Sequence, residues 1–139
     1  MAVGQRFAFT KLLVADLEAA AAFYSAVLGL LTRHRVTGGE GEAAYQEIIL
    51  SAAEDDGPSL ILLHRPHQAA PDPGETVLGF VVDDVEQVVR QARAAGGVVV
   101  SGPTAVPQAG VRVAQVEDPE GHAVELVQMT SAKERGDDV

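Results

Sequence analysis

The chain has 139 residues, 47% of them hydrophobic, 4% aromatic and none cysteine. That suffices for a compact core filled mainly by Val, Leu and Ala, and it excludes thiol nucleophiles, disulfides and thiolate metal sites. A formal net charge of −10 repels phosphate backbones and argues against a nucleic-acid partner, while it favours solubility and a cationic ligand.

The N-terminal segment MAVGQRFAFTK has no long apolar run, and no stretch reaches membrane-spanning length. The sequence therefore predicts a cytoplasmic protein with no membrane partner. Residues 7–14 read as a strand and Asp16 as the N-cap of a helix over 17–28, whose Leu17, Ala20, Ala21, Tyr24 and Leu28 share one face. Gly29 is placed to stop this helix in a left-handed conformation. Strands follow over 30–36, 45–50 and 59–64, separated by the turns GGEGE at 38–42 and AAEDDGP at 52–58. The segment HRPHQAAPDPGE, 64–75, carries three Pro and one Gly and reads as a linker.

The second half predicts a strand over 76–82 and a helix to about Ala95, with Asp83 and Asp84 both fitting as its cap. Glu86, three residues after Asp83, suggests a capping box. Strands at 98–101, 111–116 and 122–128 follow, joined by a loop at 102–110 and a tight DPEG turn at 118–121. The tail, 130–139, is expected to be frayed.

LLVADLE at 12–18 returns as FVVDDVE at 80–86, and Asp16 and Gly29 match Asp84 and Gly97 at the same offset. The repeat predicts two similar modules, 7–65 and 76–129, within a single domain over 1–139. Each reads strand–helix–strand–strand–strand.

This order, the helix starts, the FYSAVLGL segment and DPEGHAVEL near the end resemble the vicinal oxygen chelate superfamily, which includes glyoxalase I, bleomycin-resistance proteins and extradiol dioxygenases. The resemblance covers residues 7–129. It implies an α+β fold of two βαβββ modules, forming a curved mixed sheet around a cleft that takes a small-molecule ligand. It also implies a homodimer. In the family's metal enzymes four side chains, typically His, Glu or Gln, hold the ion. The first lies seven residues before the Asp that opens the helix, which is Phe9 here, and its repeat mate is Val77. The Glu of D-P-x-G-x-x-x-E-L is Glu125, and the fourth position falls in SLILL, taken as Leu62. Phe, Val and Leu donate no lone pair, so the resemblance carries no metal and no cofactor onto this chain.

Strand alternation puts Phe9, Leu62, Val77 and Glu125 on one concave surface, and Gly79 leaves room there. Glu125 is the candidate catalytic base or anchor; burial in an apolar pocket would raise its pKa unless Lys11 or Arg112 pairs with it. His64 is placed beside Leu62 at the end of its strand. Tyr45 and Glu47 alternate on the third strand and could face the same surface, as could Lys11 and Arg112. His122 follows the DPEG turn, where the family's equivalent is usually exposed. No phosphate cradle and no Ser/His/Asp set is legible.

Three functions compete. The first is a metal-independent binding protein that sequesters a drug or metabolite. The second is an enzyme (lyase, isomerase, epimerase or dioxygenase) using Glu125 as base, or a shifted metal site of His64, Glu125 and Glu47. The third is a scaffold with a vestigial pocket.

Overall fold

A computed structural model describes residues 4–53 and 57–130. The order is β1 (Phe9–Leu13), α1 (Leu17–Leu28), β2 (Leu31–Gly38), β3 (Tyr45–Ser51), β4 (Ser59–His64), β5 (Val77–Val81), α2 (Val85–Ala94), β6 (Val98–Val106), β7 (Val111–Glu117) and β8 (Ala123–Met129). The fold is α+β, built from two βαβββ modules. Hydrogen bonding groups the strands into two four-stranded sheets, β1-β4-β3-β2 and β5-β8-β7-β6. Only β1–β4 and β5–β8 are parallel, because the helix in each module carries the chain back to the starting end; the other pairs are antiparallel. The chain divides into two compact units, Met1–Ser25 with Gly29–Pro71 and Ala26–Leu28 with Asp72–Val139.

In the first unit the period-two alternation separates two faces. Leu12, Ile48, Leu50 and Leu62 are buried on one of them. Arg35 lies on this face opposite Ile48 and donates to both carboxylate oxygens of Glu18, at 2.7 and 3.2 Å. That places α1 over this face. The Arg35 guanidinium holds the Glu18 carboxyl below its usual range. α1 buries more than the predicted stripe: Phe23 and Val27 are buried beside Ala20, Ala21 and Tyr24, and the Phe23 and Tyr24 rings meet edge to face, with centroids 5.3 Å apart. Asp16 caps the helix, its Oδ1 accepting from the Ala19 amide at 3.0 Å. Gly29, at φ 70°, ends it, its amide donating to the Ser25 carbonyl.

In the second unit Ala114, Val116, Val124 and Leu126 are buried on the α2 side, where the Gln128 Oε1 accepts from the Val85 amide at 2.8 Å. The cap of α2 is Asp84, whose Oδ1 accepts from the Gln87 amide at 3.1 Å. The capping box expected from Asp83 and Glu86 is not formed: with Asp84 as the cap the third helical position is Gln87, and Glu86 pairs with Arg112. Asp84→Ala is therefore expected to cost about 1 kcal/mol, and Asp83→Ala about 0.5 kcal/mol or less, read from urea denaturation midpoints.

Most strand ends lie within one or two residues of the sequence reading, and two segments differ in kind. Residues 102–106, expected as loop, continue β6 to Val106. Pro103 is tolerated because β6 is an edge strand, and register shifts around Ser101 absorb the irregularity. The GGEGE turn instead holds a short 3-10 turn, Gly41–Ala43. Of the predicted 52–58 turn, residues 54–56 lie outside the described residues, as does the tail beyond Thr130.

Candidate functional site

On the first unit, the sheet face away from α1 carries Phe9 and Lys11 from β1, Tyr45, Glu47 and Ile49 from β3, and Ile61 and Leu63 from β4, as the strand register requires. Glu47 is buried on this face, with only 7% of its surface exposed. Its partner is Lys11, whose Nζ stands 2.7 Å from Glu47 Oε2. The ammonium neutralises the buried carboxylate. The Lys11 ammonium also stands 5.8 Å from the centre of the Phe9 ring. Tyr45 lies across Gly38 of β2: a Cβ at that position would meet the Tyr45 hydroxyl at 2.5 Å. A hollow of about 440 Å³ is lined by Lys11, Tyr45, Glu47, Leu63, Arg65 and Gln68, with Ala43 completing the wall. A shallower depression of about 780 Å³ on the same face is lined by Arg6, Phe9, Ile49 and Ile61, among others.

Two candidates of the first unit fall on the other face of its sheet. Leu62 pairs with Leu12 and Ile48 on the α1 side and is fully buried. The parallel registers explain this. Phe9 pairs with Ser59 and Lys11 with Ile61, while Val77 pairs with Ala123 and Gly79 with Glu125. The counterpart of Glu125 in the first module is thus Ile61, one residue earlier, and a shift of one residue exchanges sheet faces. His64 lies beside Leu62, as expected, but on the α1 side, where its Nδ1 is 3.1 Å from the Val14 carbonyl. His64 and Glu47 project from opposite faces of one sheet, so the shifted metal set of His64, Glu47 and Glu125 does not assemble.

On the second unit Val77, Gly79 and Glu125 share the face away from α2. A Cβ at Gly79 would meet nothing within 4 Å. Glu125 is exposed, so the burial expected for it is absent. Both expected partners are engaged elsewhere. Lys11 meets Glu47, and Arg112 lies on the α2 side, where its Nη2 donates to Glu86 Oε2 at 2.5 Å.

His122 is the residue that sequence reasoning misplaced most. It is buried, as is Asp118. Asp118 Oδ1 accepts from the Glu120 and His122 amides at 2.9 and 3.0 Å, and the His122 Nδ1 lies 2.9 Å from Oδ2. The Asp-Pro-x-Gly spelling was the signal for this closed turn. Arg65 and Gln68 were read only as linker, and nothing in their spacing pointed to the hollow.

The glyoxalase/bleomycin resistance protein/dioxygenase family model matches residues 6–126. The chain belongs to that superfamily. It is 30% identical, over 91% of its length and 93% of the relative's, to a probable lactoylglutathione lyase of Vibrio cholerae serotype O1. The superfamily fold recurs in a glyoxalase family protein from Bacillus cereus, at a TM-score of 0.80 and 18% identity over 94% of this chain and 99% of that one. It recurs again in glyoxalase I from Zea mays, at 0.75 and 20% identity over 91% of this chain. The chain spans about half of that maize protein, 45% of its length.

Superfamily membership raises the question of a metal. The positions that would hold it carry Phe9, Ile61, Val77 and Glu125, and three of these have no donor atom. Among the described residues no three His, Asp or Glu side chains converge on a point that could hold an ion. The donor set does not fit a glyoxalase-type centre. No helix among the described residues is long and apolar enough to cross a membrane.

Proposed function

We propose that the chain is a cytoplasmic small-molecule binding protein of the glyoxalase/bleomycin-resistance type that works without a metal. The observation that carries this reading is the replacement of donors by Phe9, Ile61 and Val77 on otherwise family-like sheet faces. Such faces hold a guest by burial, at about 25 cal/mol per Å² of apolar surface removed from water. The ligand-binding set is Phe9, Lys11, Tyr45 and Glu47 on the first unit, joined by Arg65, and Val77, Gly79 and Glu125 on the second. A homodimer is part of the proposal, supported by Val77, Val81 and Met129, which stand exposed on the second sheet.

A second reading is supported by the relative named as a probable lactoylglutathione lyase. It makes the chain an enzyme with Glu125 as its base. Elemental analysis, calorimetry and a lactoylglutathione lyase assay with added nickel or zinc separate the two. The binding reading expects substoichiometric metal, no turnover and saturable thermal stabilisation by small organic ligands. Stoichiometric metal, or turnover abolished by Glu125→Gln, would overturn it in favour of the enzyme. A monomer by light scattering at micromolar concentration would remove the dimer.

A further inference from the structure

On the second unit the exposed end of β8 carries a sulfur atom. Resting on the homodimer reading above, we infer that Met129 is a reversible oxidation site that controls the covering of this face by a second copy of the chain: peroxide converts its thioether to the sulfoxide and releases the partner. Three observations carry this.

The first is composition. The chain has two methionines and no cysteine. Met129 is the sole sulfur among the described residues, and reversible sulfur oxidation there falls to it. The second is placement. Met129 closes β8 on the face away from α2, opposite Val111 and two residues beyond Val127, which pairs with Val113 and Val81. The side chains that this register sets around it are all valine, and Met129 and Val81 stand 47% and 73% exposed. The third is anchorage. The next residue, Thr130, donates to the Gly110 carbonyl through its amide at 3.1 Å and its hydroxyl at 2.9 Å. The backbone is thus held beyond Met129, and the thioether stays on the sheet face.

The oxidation balances: the sulfur loses two electrons and takes one oxygen atom from hydrogen peroxide, whose remainder leaves as water. Reversal by a methionine sulfoxide reductase consumes two thiols, which leave as a disulfide, and the oxygen leaves as water. The change turns an apolar side chain polar. In a two-fold contact each copy presents the same patch. A sulfoxide oxygen pressed among valines gives up its water and gains no donor, which disfavours association.

The test is light scattering of the full-length protein over the micromolar range, before and after hydrogen peroxide, with peptide mass spectrometry to locate the added oxygen. Untreated protein is expected to dimerise, one oxygen on Met129 to raise the dimer Kd about tenfold or more, and methionine sulfoxide reductase to restore it. Oxidation of Met129 should slow as protein concentration rises, because the covered face is shielded. Met129→Leu, of similar volume and without sulfur, should dimerise like wild type and ignore peroxide. Met129→Gln should dimerise weakly without peroxide. Circular dichroism checks that each sample is folded, and the oxidised wild type carries the test if Met129→Gln is not. Oxidised protein that dimerises as tightly as untreated protein, or an equal loss in Met129→Leu, overturns the inference and leaves the dimer standing. A wild type that is monomeric throughout removes the dimer and this inference together, and leaves small-molecule binding untouched.

Discussion

Asp118→Ala is expected to destabilise the fold by at least about 3 kcal/mol. The carboxylate is almost wholly buried and accepts from two backbone amides of its own turn and from the His122 ring. Alanine leaves these donors facing a protein interior, and each stranded buried donor costs about 1–3 kcal/mol. The ring would lose its orienting partner as well, so β8 would start from a loosened turn. Asp118→Asn keeps an acceptor oxygen and should lose clearly less. Urea denaturation of the wild type and both variants reads the difference. An alanine variant within about 0.5 kcal/mol of wild type, the range of an ordinary surface change, would show that the turn holds without its carboxylate.

Leu62→Ala is expected to cost about 2–5 kcal/mol, whereas Phe9→Ala should cost about 1 kcal/mol or less. The contrast follows from the register. Leu62 is fully buried on the α1 side of its sheet, and Phe9, on the other face, is 49% exposed. Were the two residues on one surface, as the sequence suggested, the costs would converge. Denaturation midpoints at equal m-values decide it. The same pair separates stability from binding: Phe9→Ala should weaken apolar ligands that Leu62→Ala, once folded, leaves untouched.

That one-residue difference shows where reading the chain stops. The repeat of LLVADLE as FVVDDVE, the Asp caps and the left-handed Gly29 all express local rules, and α1 and β4 appear with the predicted bounds, Leu17–Leu28 and Ser59–His64. Faces within β1, β5 and β8 were also legible, since alternation needs only a phase. Leu62 was not, because SLILL is apolar throughout and shows no phase; only pairing with Phe9 and Lys11 supplies one. Pro103 argued for a loop, and edge position overrode it. His122 looked exposed because its partner, Asp118, is recruited by turn closure rather than by helical or strand spacing. The meeting of Lys11, Glu47 and Arg65 joins three separate segments, and no local pattern encodes such a meeting.

The irregular β6 has a consequence for the chain's life at high concentration. It forms one rim of its sheet, and that rim is broken by Pro103, which offers no N–H, and by register shifts on either side of Ser101. A foreign strand seeking to extend the ladder there finds donors missing and spacing disturbed. Fibrous growth from this side is thereby discouraged without any charged guard residue. Val77 and Val81 stand on the opposite rim, and that is where any tendency to stick would concentrate.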